Sequence, residues 1–351
     1  MDEDAVLDRL AEVQDPDLDD DIVSLGLVND IEITGDAISI DLALGAPYSP
    51  NETAIAGAVR EALADLEYRA DLSASVDRGV DPAEDPLANV ENVIAVASGK
   101  GGVGKSTVAV NLAAGLADMG ARVGLFDADI FGPNVPRMLA ADEHPRATED
   151  EQIIPPEKFG LKLMSMDFLV GEDDPVIFRG PMVHNVLTQL WEDVLWGSLD
   201  YMIVDLPPGT GDTQLTMLQQ VPVSGAVIVT TPQEVALDDA RKGLRMFGRH
   251  ETPVLGIVEN MSSFTCPDCG SEHDIFGSGG GREFAREVEM PFLGEIPLDP
   301  SVRERGDDGE PIVLDEDSET GAALREFVRE TAIKQGIVHR RRHADSVAKE
   351  Q

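Results

Sequence analysis

The chain has 351 residues, of which 67 are acidic and 27 are lysine or arginine, giving a formal net charge of −40 at neutral pH. So few basic residues argue against nucleic-acid binding. The sequence lacks a basic signal-peptide start and a long apolar run, which argues against export and against a membrane span. A cytoplasmic location is therefore expected. Repulsion among the carboxylates is screened at molar salt, where the Debye length is about 3 Å, which predicts a halophilic, archaeal cytoplasm.

Residues 1–78 are predicted to form a small α+β domain. Its predicted elements are a helix over residues 2–13, strands over 28–33 and 37–44, a helix over 54–66 and a strand over 72–76. Thr34-Gly35-Asp36 is a turn signal between the first two strands. Ser49-Pro50 predicts a capped helix start with proline at the first helical position. The stretch 79–89, which contains several Asp and Pro residues, is predicted to be a linker.

Residues 99–106 read Gly-Lys-Gly-Gly-Val-Gly-Lys-Ser, which satisfies the phosphate-binding pattern G-x-x-x-x-G-K-[ST]. An apolar run over residues 93–97 precedes the loop and helical spacing over 107–119 follows it, so bound phosphates would lie at a helix N-terminus. In this pattern Lys105 reaches the β- and γ-phosphates and Ser106 a Mg²⁺ ion. The predicted nucleotide-binding residues here are Gly99, Lys100, Gly101, Gly102, Val103, Gly104, Lys105, Ser106 and Thr107.

Acidic residues end the next two apolar strand patterns. The first pattern ends in Asp127-Ala128-Asp129 and the second ends in Asp205. Because ligands bind at the carboxyl ends of strands in open parallel sheets, these carboxylates are expected near the phosphates. Asp205 is predicted to hold Mg²⁺ through water, and the Gly- and Pro-rich stretch 206–212 to act as a switch loop.

Further along, a strand pattern over residues 254–259 leads to Asn260, whose amide can both donate and accept, as an adenine edge requires.

The only two cysteines are Cys266 and Cys269, separated by Pro267-Asp268. One molecule cannot supply four thiolates, but a symmetric dimer brings two such pairs together. Four thiolates suit either a 4Fe-4S cluster or a zinc ion, and the spacing does not choose between them. The alternatives are a thioredoxin-like redox pair and a turn with two idle thiols. A thioredoxin-like pair opens a helix, whereas the glycine-rich stretch 277–281 that follows here indicates a loop.

Several motifs together resemble the deviant phosphate-loop ATPases, a family that includes the MinD and ParA proteins, and within it the Mrp/ApbC iron-sulfur carriers. The motifs are the second loop lysine Lys100, residues 127–133, 230–233 and 259–262, the two cysteines, and residues 273–277. The resemblance covers about residues 92–336. It implies an ATPase domain over 90–336 with an α/β fold and a doubly wound, mostly parallel sheet. It also implies a homodimer that holds a 4Fe-4S cluster bridging two subunits and passes it to recipient apoproteins.

The same resemblance assigns roles to individual residues. Lys100 acts across the dimer on the neighbouring subunit's nucleotide, as an arginine finger does. Asp129 positions the attacking water and Asp127 supports it near the metal. Asn260 contacts the adenine, and Pro297 packs near it. The resulting assignment makes Lys100, Lys105 and Asp129 catalytic, Ser106, Asp127 and Asp205 magnesium-binding, and Cys266 and Cys269 cluster-binding.

The N-terminal domain resembles the small domain of late-acting iron-sulfur assembly factors, through residues 15–18 and 21–28. That family commonly has a cysteine before a proline where this chain has Ser49-Pro50. Because a hydroxyl is a poor cluster ligand, a docking or regulatory role is expected for this domain instead. Residues 337–351 are predicted to be a polar C-terminal tail, with Arg340-Arg341-Arg342 as a solvated helix end.

Two alternative functions are consistent with parts of the sequence. A positioning switch of the MinD/ParA type would use ATP-dependent dimerisation for membrane or DNA binding, which requires an amphipathic C-terminal helix or a basic face. A zinc-stapled dimer would use ATP only as a stabilising ligand. His273 is expected to be a loop histidine and not a metal ligand.

Overall fold

The computed structural model describes residues 2–66, 68–76, 87–129, 132–169 and 190–350. The chain contains two compact units. One consists of Met1–Glu84 together with Ala332–Gln351, and the other of Asp85–Thr331. Most of the predicted linker, residues 79–86, lies outside the described residues, as do Ile130 and Phe131.

The first unit contains a three-stranded sheet and two helices from the N-terminal part of the chain. These elements are α1 Glu3–Leu10, β1 Val28–Thr34, β2 Ala37–Leu42, α2 Pro50–Ala62 and β3 Arg69–Ala74. β2 is the central strand, antiparallel to β1 and parallel to β3. Ile38, Ile40 and Leu42 alternate along β2 with more exposed residues and are buried, as expected for a strand with one face on the core. The helices complete that core with Val6, Leu10, Ile55 and Val59.

The start of α2 differs from the prediction in one respect. Pro50 is the first helical residue and Ser49 precedes it, but the Ser49 side chain makes no capping hydrogen bond. Its hydroxyl is buried and has no hydrogen-bond partner among the described residues. The Glu52 carboxylate instead accepts a hydrogen bond from the main-chain N–H of Ala46, at 2.7 Å.

The second unit is built on an eight-stranded sheet. Its strands and those of two small hairpins are β4 Val90–Ser98, β5 Val123–Asp127, β6 Arg146–Ala147, β7 Ile153–Ile154, β8 Glu157–Lys158, β9 Leu161–Ser165, β10 Leu199–Asp205, β11 Gly225–Thr230, β12 Val254–Asn260, β13 Phe264–Thr265, β14 Glu272–His273 and β15 Phe292–Ile296. The described helices are α3 Lys105–Asp118, α4 Val135–Met138, α5 Asp212–Gln220, α6 Glu234–Arg249, α7 Gly280–Glu287, α8 Pro300–Asp308 and α9 Glu319–Glu350, with short 3-10 helices over Met166–Leu169 and Ile312–Leu314.

The strand order of the large sheet is β15-β12-β11-β4-β10-β5-β9-β8. All neighbours are parallel except β8 and β9, which form an antiparallel pair at one edge. Every residue of β10 and β11 is buried, as expected for strands covered on both faces. From β4 the chain runs to β5 and β9 on one side and then returns to β10, β11 and β12, so the sheet is doubly wound. The predicted α/β fold class is confirmed.

The C-terminal segment is not the predicted polar tail. Residues 337–350 continue the 32-residue helix α9, and from Ala332 onward that helix belongs to the first unit. Arg340 is fully buried there. Its guanidinium forms ion pairs with Asp15 at 2.6 Å, Asp17 at 2.6 Å and Glu52 at 2.9 Å. The expectation of a solvated arginine is therefore wrong at position 340, whereas Arg341 and Arg342 are exposed.

Across the described parts of the chain, no helix has both the length and the apolar character that a membrane span requires.

Candidate functional site

The carboxyl ends of three neighbouring strands lie side by side in the second unit. In the register of the sheet, Asp205 of β10 is opposite Asp127 of β5 on one side and Val96 of β4 on the other. The phosphate-loop sequence follows β4 directly and leads into α3 at Lys105. The order of the strands reverses at this point, which is where ligands bind in doubly wound sheets.

Two glycines of the loop are required by close contacts. A Cβ atom at Gly104 would lie 2.1 Å from the side-chain nitrogen of Asn260, and Gly104 has a φ of +82° that disfavours other residues. At Gly99 a Cβ atom would lie 2.2 Å from the carbonyl carbon of Asp239, in helix α6. The loop is therefore packed directly against the end of β12 and against α6.

The loop lysine forms a buried ion pair. Lys105 Nζ lies 2.5 Å from Asp205 Oδ1, and the two side chains are 6% and 0% exposed. Burial raises the pKa of Asp205, and the ammonium group of Lys105 opposes that shift. The second carboxylate oxygen of Asp205 is buried without a hydrogen-bond partner among the described residues. Such an atom fits a magnesium ion or its bound water, with the Ser106 hydroxyl nearby, 3.5 Å from Lys105 Nζ.

Asp127 is buried and accepts several hydrogen bonds. Its carboxylate accepts from the main-chain N–H groups of Asn134 at 3.0 Å and Val135 at 3.1 Å, and from the Ser165 hydroxyl at 3.2 Å. Its other oxygen accepts from the main-chain N–H of Asp129 at 3.2 Å. Burial, and after it the negative charge of Asp205, raises the pKa of Asp127 to about 7. The carboxylate thus holds the segment that presents Asp129.

A cavity of about 610 Å³ lies over these strand ends, within the usual range for a small-molecule site. At the phosphate end it is lined by Lys100, Gly101, Gly102, Gly104, Lys105, Ser106, Thr107 and Asp129. At the other end it is lined by Asn260, Ile296, Pro297, Leu298 and Val302. The predicted residues Gly99, Val103, Asp127 and Asp205 lie behind this lining.

Asn260 makes a contact that its sequence position did not predict. Its side-chain nitrogen donates to the main-chain carbonyl of Val103 at 2.8 Å, so one amide proton holds the phosphate loop. Arg303 and Asp307 of α8 also line the cavity and were not predicted. Their only sequence signal is a pair of charges shortly after Pro297.

The two cysteines lie at the tip of a short hairpin formed by β13 and β14. The main-chain N–H of Cys266 donates to the Ser271 carbonyl, and that of Gly270 to the Cys266 carbonyl, both at 2.9 Å. Cys269 is exposed and Cys266 is half-buried. The Ser271 hydroxyl lies 3.4 Å from the Cys269 sulfur. The hydrogen bond between them is the largest of the effects that lower the pKa of the Cys269 thiol.

Within the described ranges, no group of three or more His, Cys, Asp or Glu side chains is placed to hold a metal ion. Two thiols alone are an incomplete ligand set for a metal centre. His273 is exposed at the base of the same hairpin.

Lys100 lines the nucleotide cavity and also a second, smaller cavity of about 220 Å³. Its ammonium group donates a hydrogen bond to the side-chain oxygen of Gln233 at 3.3 Å. Gln233 belongs to one of the motifs that carry the family resemblance, but no role was predicted for it from the sequence.

Two protein families match this chain. The family described as "NUBPL iron-transfer P-loop NTPase" matches residues 89–332, and that described as "Iron-sulfur cluster assembly protein" matches residues 3–76. The two matches do not overlap, so different parts of the chain resemble different families.

Similar proteins and structures agree with these matches. An iron-sulfur cluster carrier protein from Synechocystis is 46% identical over 343 residues, covering 94% of this chain and 97% of that protein. One from Deinococcus radiodurans is 47% identical over 332 residues, covering 94% of each. A nucleotide-binding protein from Archaeoglobus fulgidus, solved with ADP, is 38% identical with a TM-score of 0.58, covering 68% of this chain and 93% of that one. The cell division ATPase MinD from Pyrococcus furiosus is 25% identical with a TM-score of 0.52, covering 68% and 97%.

Proposed function

This chain belongs to the family of NUBPL iron-transfer P-loop NTPases, and on that premise we propose that it binds and hydrolyses ATP and carries an iron-sulfur cluster to recipient apoproteins. Its relatives in Synechocystis and Deinococcus radiodurans are named iron-sulfur cluster carrier proteins. The setting proposed for this activity is the cytoplasm.

One observation carries the proposal. The same unit contains a phosphate loop under a nucleotide-sized cavity and a short hairpin with two free thiols, one exposed and one half-buried. Because two thiolates cannot complete the coordination of a 4Fe-4S cluster, we propose that Cys266 and Cys269 of two subunits hold one cluster between them, in a homodimer with two-fold symmetry.

The nucleotide site has an arrangement suited to phosphoryl transfer. Lys105 would neutralise charge on the phosphates, and Asp129 would orient the attacking water. Magnesium, when bound, supplies positive charge to the phosphate oxygens, and we propose Ser106, Asp127 and Asp205 for its site. One carboxylate oxygen of Asp205, which has no hydrogen-bond partner in the described part of the chain, supports this assignment. Asn260 and Pro297 are proposed to flank the adenine.

The domain bounds are part of the proposal. An ATPase domain over residues 90–336 would carry the chemistry, and the N-terminal domain over 1–78 would act in docking or regulation. The buried, unpartnered hydroxyl of Ser49 supports a role without metal ligation, since a buried hydroxyl cannot reach a cluster at the surface.

The test is anaerobic reconstitution with iron and sulfide, followed by absorption and Mössbauer spectroscopy. Wild-type protein should bind one 4Fe-4S cluster per dimer, and the double variant Cys266→Ala/Cys269→Ala should bind none. His273→Ala is the matched control from the same hairpin and should bind the cluster normally. Transfer to an apo-ferredoxin, with ATP and with ADP, then tests whether the nucleotide gates release.

Three outcomes would contradict parts of this proposal. A colourless protein that binds zinc through the same cysteines would favour the zinc-stapled dimer. A cluster that persists without the cysteines would return weight to a positioning switch. Equal cluster retention with ATP and ADP would remove the coupling between hydrolysis and transfer.

A further inference from the structure

Lys100 lies where three segments of the second unit meet: the phosphate loop itself, the start of helix α6, and the stretch that carries the cysteines. At the start of α6, the side-chain oxygen of Gln233 accepts a hydrogen bond from Lys100 Nζ at 3.3 Å. Gln233 directly precedes helix α6, and its side chain makes no capping bond to that helix. Its amide oxygen is therefore not occupied by the helix and can hold the lysine.

The position of Gln233 relative to the loop is fixed by close packing. Gly99 directly precedes Lys100, and a Cβ atom at Gly99 would lie 2.2 Å from the carbonyl carbon of Asp239 in α6. The main chain of the loop and that of the helix are thus in direct contact. The main chain at the start of α6 is therefore held close to the loop, with the Gln233 side chain in reach of Lys100.

The third segment is the stretch that carries the cysteines. The small cavity beside Lys100 and Gln233 is also lined by Met261 and Phe276, which lie on either side of the cysteine hairpin in the sequence. Just after this stretch, at the first residue of α7, a Cβ atom at Gly280 would lie 2.6 Å from the carbonyl oxygen of Pro232, the residue before Gln233. The lysine, its acceptor and the cysteine segment therefore meet in one place.

We propose that Gln233 is a positioning residue that holds Lys100 within its own subunit until two subunits close on ATP. The inference rests on the proposed function, in which Lys100 acts on the nucleotide of the neighbouring subunit. To reach that nucleotide, Lys100 must leave the amide oxygen of Gln233. The bond from the Lys100 ammonium group to the amide oxygen is long, at 3.3 Å, and its acceptor is neutral, so it can break on closure. A carboxylate in place of the amide would add the attraction between opposite charges to the hydrogen bond and would hold the lysine more strongly.

Two substitutions at position 233 should therefore act in opposite directions. Gln233→Glu strengthens the hold, so the protein concentration needed for half-maximal ATP-dependent dimerisation should rise about fivefold, and kcat should fall by a similar factor. Gln233→Ala releases the lysine, so that concentration should fall about threefold, with the KM for ATP unchanged within twofold. Gln219→Glu, which adds the same charge on the exposed face of α5, should change neither quantity.

A double-mutant cycle shows whether the effect passes through the lysine. In a Lys100→Ala background, both substitutions at position 233 should leave dimerisation unchanged, because the bond they alter no longer exists. Sedimentation velocity with ATP measures dimerisation, and phosphate release measures kcat and KM. If the substitutions only disturbed the fold, both would change dimerisation in the same direction, and the change would persist in the Lys100→Ala background.

The results separate failure of this inference from failure of the proposed function. If the wild type remains monomeric with ATP, or if Lys100→Ala retains full turnover, the trans role of Lys100 is overturned and this inference with it. If dimerisation depends on Lys100 but both Gln233 variants match the wild type, or shift together, only the role of Gln233 is overturned.

Discussion

Asn260 donates a hydrogen bond from its side-chain amide to the main-chain carbonyl of Val103, at 2.8 Å. The bond joins the end of β12 to the middle of the phosphate loop. The next residue, Met261, begins the segment that carries Cys266 and Cys269. The base of the cysteine segment is thus attached to the loop that binds phosphates, and a change of nucleotide state has a direct route to the thiols.

Removal of this bond should weaken nucleotide binding. Asn260→Ala leaves the Val103 carbonyl without its partner, and an unsatisfied buried group costs about 1–3 kcal/mol. We expect the affinity for ADP to fall about tenfold by calorimetry, since about 1.4 kcal/mol corresponds to a factor of ten. Asn29→Ala, an exposed asparagine of the first unit, is the control. An ADP affinity within twofold of wild type would show that the bond does not support the loop.

Loss of the buried carboxylate at Asp205 should be more severe. Asp205→Asn removes the charge that pairs with Lys105 and leaves a buried ammonium group without its anion. ATP turnover should fall at least about 100-fold, because both the lysine and the magnesium site are affected. Phosphate-release assays over a range of Mg²⁺ concentrations measure this effect. Asp118→Asn, at the exposed end of α3, should retain normal turnover, and a similar loss there would point to a general charge effect.

Ser271 should control the reactivity of Cys269. The hydroxyl stabilises the thiolate and lowers its pKa, so Ser271→Ala should raise the pKa toward its ordinary value. At neutral pH the fraction of thiolate then falls, and alkylation by iodoacetamide should slow about twofold to fivefold at Cys269. Mass spectrometry of the labelled peptide over a pH series measures the rate. Ser278→Ala, exposed in the same segment, should have no effect. An unchanged pH profile in Ser271→Ala would remove the hydroxyl as the cause.

The core of the nucleotide site could be predicted because short stretches of sequence specify it. An apolar run followed by a glycine-rich motif placed β4, the loop and α3, and the runs ending in Asp127 and Asp205 placed β5 and β10. The observed strands β4 and β10 extend the predicted ones by a few residues. Strands β6 to β8 were not predicted, because two residues are too few to show an alternating pattern.

Other features depend on contacts between distant residues. Gln233 and Lys100 are 133 positions apart, and nothing near either residue indicates that they meet. Arg340 is 325 positions from Asp15 and has two arginines beside it with the same chemistry. Only the packing of helix α9 distinguishes the buried arginine from the exposed ones, so the sequence pattern indicated a solvated helix end for all three.

That distinction leads to a matched pair of variants in the first unit. Arg340→Met leaves the buried carboxylates of Asp15 and Glu52, and the half-buried carboxylate of Asp17, without their cation. Arg341→Met changes an exposed residue next to it. Removing one partner of a buried ion pair typically costs about 3–5 kcal/mol. Hydrogen exchange of peptides from residues 3–62 and 332–350 should therefore accelerate strongly in Arg340→Met and only slightly in Arg341→Met.

The effect of Arg340→Met should also depend on pH, with a sign that follows from Glu52. Burial raises the pKa of Glu52 in the folded protein, and the charge of Arg340 opposes that shift. Without the arginine the pKa rises further, so the folded variant binds a proton that the unfolded chain releases at the same pH. Relative to the wild type, the loss of protection against hydrogen exchange in Arg340→Met should be largest at high pH. This deficit should shrink as the pH falls through the raised pKa of Glu52. Exchange rates corrected for the intrinsic pH dependence measure this trend. A deficit that stays constant with pH would show that the titration of Glu52 is not its cause. A deficit equal in Arg341→Met would show that the buried carboxylates do not need the guanidinium.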